Sequence, residues 1–91
     1  MAPLKRNRGK QSAEEREEVR QHLQDLETLR EERLAALGSL AVEMHRRGPV
    51  DPDALFKPAA KIVAIEEEVK LVRRGLDEGL SLKQLQELAR R

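Results

Sequence analysis

Apolar residues recur along this chain in two runs with coiled-coil spacing, and a Gly-Pro stop divides them. The first run is Val19, Leu23, Leu26, Leu29, Leu37, Leu40 and Met44, at steps of 4, 3, 3, 8, 3 and 4. The second is Leu55, Ala59, Ile62, Ile65, Val69, Val72 and Leu76, at steps of 4, 3, 3, 4, 3 and 4. Both keep near the 3.5-residue period that lines one helix face against another. One heptad position of the first run falls on Arg33. Either Leu34 beside it substitutes, or the seam is locally imperfect.

Start and stop signals bracket each run. Ser12 and Glu15 have the spacing of a capping box. Glu14, Glu15, Glu17 and Glu18 follow, where the helix dipole favours negative charge. Arg46 and Arg47 suit a C-terminal turn, Gly48 can take the left-handed cap conformation, and Pro49 blocks continuation. The pattern predicts a helix over 12–47, about 54 Å long. Asp51 then offers an N-cap, Pro52 suits the first helical position, and Val50 with Leu55 forms a hydrophobic staple. So short a connection forces an antiparallel return, predicted over 50–75. Pro58 removes one helical hydrogen bond, so a kink or a separate first turn is expected there. Gly75 and Gly79 bracket a predicted break. Beyond it Ser81 with Gln84 repeats the capping box, Leu80 with Leu85 repeats the staple, and Leu82, Leu85 and Leu88 form a new stripe. A short helix over 81–90 follows.

The expected fold is all-α: an antiparallel helical hairpin with a short C-terminal helix, assembling into a multi-helix bundle. The expected organisation is a flexible basic arm at 1–11, a hairpin at 12–75, and a linker with a short helix at 76–91. Composition agrees. Of 91 residues 38% are charged and one, Phe56, is aromatic, which disfavours strands. A domain this small is marginal alone, so its apolar stripes call for a partner.

Composition also restricts the chemistry. With no cysteine there is no disulfide, thiolate nucleophile or thiolate metal site. His22 and His45 lie about 35 Å apart along one helix and cannot share a metal. Glu18, His22 and Asp25 share a helix face and read as solvated surface. Glu66, Glu67 and Glu68 are successive helical residues and point in different directions. Two of the three serines, Ser12 and Ser81, read as caps. The expectation is therefore no catalytic residue, no metal and no cofactor. No apolar stretch follows the basic N-terminus, and no run of about 18 apolar residues occurs, so neither a leader nor a membrane span is expected. The expected location is the cytoplasm. Twelve Arg against six Lys suggest a GC-rich bacterial genome.

What remains is binding. The first helix outreaches the second by about ten residues, roughly 15 Å. Val19 and Leu23 should therefore need cover from the C-terminal helix or from a second chain. The expected exposed partner-binding residues are Val19, Leu23, Leu82, Leu85 and Leu88. The expected hairpin seam is Leu26, Leu29, Leu37, Leu40, Met44, Leu55, Ile62, Ile65, Val69, Val72 and Leu76. The expected role is a structural or scaffolding subunit, with self-association into a homodimer or higher assembly. One alternative uses Lys5, Arg6, Arg8 and Lys10, four cations free of acids, as non-specific contacts to nucleic-acid phosphates. Another inserts the acidic hairpin tip, Asp51 and Asp53, into RNA polymerase, although both acids suit capping.

The segment 33–76 also resembles the helical hairpin of small actinobacterial zinc-ribbon-domain proteins. The likeness rests on Leu37, Gly38 and Leu40, then Glu43, Arg46 and Arg47, then a short acidic turn and the acidic stretch from Ile65 to Val69. The ribbon cysteines are missing, so no metal or nucleic-acid role comes with the resemblance. It implies a hairpin used as an assembly element.

Overall fold

A computed structural model describes residues 12–90, and within them the chain is helical with no strand. The basic arm, with Lys5, Arg6, Arg8 and Lys10, lies outside the described residues. Three helices follow one another: α1, Ala13–Arg47; α2, Pro52–Glu78; and α3, Leu82–Ala89. α1 and α2 form the antiparallel hairpin, and α3 packs against both.

The ends form as their residues dictate. Ser12 Oγ accepts from the Glu15 amide at 3.1 Å, while the Ser12 amide donates to Glu15 Oε1 at 2.9 Å. The Ser81 and Gln84 box is equally complete, at 3.3 and 2.8 Å. Asp51 caps α2 by accepting from the Asp53 amide at 3.1 Å. Gly48 ends α1 with φ 149° and ψ −142°, a glycine conformation but not the left-handed helical one expected.

Two expectations about α2 need correction. The helix runs unbroken through Pro58, so no separate first turn exists. Nor is Gly75 a breaker: α2 continues three residues past it, and Gly79 alone is the left-handed cap, at φ 76° and ψ 28°. The Leu80 amide donates to the Gly75 carbonyl at 2.7 Å and the Gly79 amide to Leu76 at 3.3 Å, which is a Schellman turn. Gly75 has a different task. A Cβ built on it would come within 3.0 Å of the Cγ, Cδ1 and Cδ2 of Leu85. Its bare backbone is the seat on which α3 rests.

The core follows from that seat. Val19, Leu26, Val69, Val72 and Leu85 form one buried cluster, with Leu23, Ile65, Leu71, Leu76, Leu80 and Leu82 packed against it. All three helices contribute, and all of it lies in the half of the hairpin near the chain ends, here called the base. Toward the tip the packing thins. α1 has no buried residue beyond Leu26, and α2 has only Ile62 there.

Gly75→Ala tests the seat. The change adds about 1 kcal/mol of helix propensity, but overpacking costs about 1–3 kcal/mol. By hydrogen exchange the amides of α3 should lose protection while those of the tip half keep theirs. Adding Leu85→Ala should make the two changes non-additive, because the methyl then has room. Unchanged protection of α3 in Gly75→Ala would refute the contact.

Candidate interaction surface

The expected docking residues are mostly covered by the chain itself. Val19 is 0% exposed and Leu85 is buried, while Leu23 and Leu82 are half-buried against the same cluster. Only Leu88 is exposed. The overhang of α1 exists, but the Schellman turn folds α3 back onto it. Two apolar stripes that would each need a partner cover one another.

The seam is unevenly filled. Leu26, Ile62, Val69 and Val72 are buried, and Leu29, Leu37, Met44, Leu55, Ile65 and Leu76 are half-buried. Leu40 is exposed, against expectation, because the tip half has no third helix to cover that side. The heptad gap at Arg33 is a true imperfection: Arg33 and Leu34 are both exposed. Polar contacts flank the seam. Arg30 Nε donates to Glu66 at 2.7 Å, Arg73 pairs with Glu27, and His22 stands 3.3 Å from Glu68. Exposed pairs of this kind contribute little stability, about 0–1 kcal/mol each. They do hold the register of α1 against α2.

These contacts also settle the acidic run. Glu66 faces Arg30, Glu67 faces Lys70 at 3.6 Å, and Glu68 faces His22. Successive carboxylates diverge, as the helical geometry requires. Among the described residues no polar or charged side chain is buried, and no three His, Asp or Glu side chains are grouped as metal donors. No helix of the described residues is long and apolar enough to cross a membrane.

The exposed apolar surface lies elsewhere. Leu34 and Val42 on α1, Val50 in the turn, and Phe56 and Val63 on α2 are all exposed, Phe56 to 69% and Val63 to 54%. Heptad steps show where they point. A groove between the helices is lined by Glu27, Thr28 and Glu31 of α1 and by Val69, Lys70 and Arg73 of α2. Seven residues on from Glu27, Thr28 and Glu31 come Leu34, Ala35 and Gly38, and Val42 follows Ala35 by another seven. Seven back from Lys70 come Val63 and then Phe56. The apolar patch therefore continues this groove toward the tip, on the face opposite α3.

Sequence spacing held the clue. Phe56 and Val63 each follow a seam residue, Leu55 and Ile62, and lie about 100° round the helix from it. Doubled apolar positions, repeated a heptad apart, mark a stripe wider than one partner helix can cover.

The opposite face of the tip half is basic. Arg33, Lys57 and Lys61 surround a shallow pocket floored by Ala36 and Pro58, and none of the three has an ion-pair partner among the described residues. Asp53, four residues before Lys57, does not pair with it. The chain matches no protein-family model, no curated protein and no solved structure.

The two apolar environments separate in a stability measurement. Val72→Ala, at a side chain 2% exposed, should destabilise the fold by about 1–3 kcal/mol in denaturant unfolding. Measured at a dilution too high for association, the double change Phe56→Gln with Val63→Gln should stay within about 0.5 kcal/mol of the parent chain, since both side chains are wet in the single chain. A large loss in the double variant would show that the patch is packed.

Proposed function

We propose that this chain is a non-enzymatic helical-hairpin interaction module, a structural or scaffolding subunit that docks through the tip half of the hairpin. One observation carries the reading. The base is closed by α3, while the tip half exposes Leu34, Val42, Phe56 and Val63 on a single face. Clustered apolar side chains of this size mark contact surfaces more often than scattered ones do. An exposed aromatic near the centre of such a patch is the usual anchor of an interface. The likeness of 33–76 to the hairpins of zinc-ribbon-domain proteins points the same way. Asp51 is engaged as the α2 cap, which weighs against an acidic tip built for insertion into a polymerase.

A second reading, contact with nucleic-acid phosphates, is favoured by the unpaired Arg33, Lys57 and Lys61 around one pocket. These would add to the cations of the arm. Such binding would be sequence-independent and steeply salt-dependent.

Two measurements test the readings. A photo-crosslinking residue at Phe56 should capture a protein in the source cell, whereas one at Lys83 should not, and Val63→Gln should abolish the capture. Failure to obtain any patch-dependent crosslink would sink the docking reading. For the second, mobility shift with duplex DNA should weaken at least tenfold in Lys57→Glu/Lys61→Glu. Equal binding by parent and variant would remove this face from consideration.

A further inference from the structure

Gly38 lies inside α1, nine residues from its end, where a glycine costs about 1 kcal/mol relative to alanine. Nothing among the described residues requires it. A Cβ built there would meet no heavy atom within 4 Å, and Gly38 does not have a positive φ. A helical glycine with open space above it permits another backbone to approach closely.

Its neighbours have a two-fold pattern. Leu34 and Val42 stand four residues before and after Gly38, and both are exposed. Glu31 and His45 stand seven before and seven after, on the same heptad row, and neither has an ion-pair partner among the described residues. Along this face α1 thus reads glutamate, apolar, glycine, apolar, histidine. Arg30 stands opposite Glu66, so in the antiparallel pair Gly38, eight residues on, lies about level with Pro58. Phe56 and Val63 lie on either side of that level.

We infer that the occupant of the tip-half patch is a second copy of this chain, packed antiparallel about a two-fold axis at Gly38. The inference rests on the docking reading above and names its partner. In an isologous contact each residue meets the symmetry image of its counterpart. Rotation about Gly38 lays Leu34 over the second copy's Val42 and brings Phe56 into the neighbourhood of its Val63. It also brings each Glu31 to the other copy's His45, with Arg46 one residue further on. The patch sets apolar against apolar and each Glu31 against a histidine with Arg46 beside it, and this favours a copy of the chain over an unrelated partner.

The absence of cysteine makes the test direct. Gly38→Cys in the full chain should form a disulfide-linked dimer under mild oxidation, because its Cα atoms would lie within the roughly 4.4–6.8 Å a disulfide spans. Lys57→Cys, on the opposite face, should not. By sedimentation equilibrium the parent chain should dimerise at micromolar concentration. Gly38→Leu should raise the monomer's helicity yet weaken the dimer at least tenfold. Glu31→Arg and His45→Glu should each weaken it, and the double variant should restore it. A monomeric parent chain, or a dimer indifferent to Gly38→Leu, overturns the proposal. If the Phe56 crosslink then captures another protein, the docking reading survives with a different partner. A Phe56 crosslink to nothing removes both.

Discussion

Leu85 resting on the bare backbone of Gly75 is the contact on which the base of this molecule depends. An eight-residue helix has no stability of its own in water. α3 persists because its leucine reaches the groove between α1 and α2, and it reaches that groove only because no side chain stands at Gly75. Once seated, it completes the enclosure of Val19 and Val72, the two most deeply buried side chains. With a single aromatic residue in the chain, such enclosure must come from geometry rather than bulk.

The molecule is therefore uneven along its length. At the base three helices share one apolar cluster. Glu27–Arg73 flanks that cluster, and Arg30–Glu66 flanks the seam just beyond it. At the tip two helices meet with little buried between them, and apolar side chains turn outward on one face and basic ones on the other. Stability should follow the same gradient, since local opening tracks buried contact. The surface with most left to bury is where the fold is least committed.

Much of this was legible in the sequence. Both capping boxes and the Asp51 cap were visible because caps are local and depend on residue type at fixed offsets. The two long helices followed from the 3.5 period. What could not be read was which apolar stripe would cover which. Val19 and Leu85 are 66 residues apart, and nothing local says that they meet. The sequence therefore suggested exposed residues at the base, and the structure places the exposed patch at the tip. Gly75 was misread for a related reason. Spacing alone cannot separate a glycine that ends a helix, as Gly79 does, from one that receives a leucine.

The pairing of Val19 with Leu85 also sets how the fold would respond to force. The start of α1 and the end of α2 both lie at the base, so tension applied between Ser12 and Gly79 acts across this antiparallel pair and not along it. It would meet α3 first and then part α1 from α2 one turn at a time, from base to tip. A bundle loaded this way unzips at low force instead of resisting in shear. Used as a link between two pulling bodies, the hairpin would be a release and not a strut.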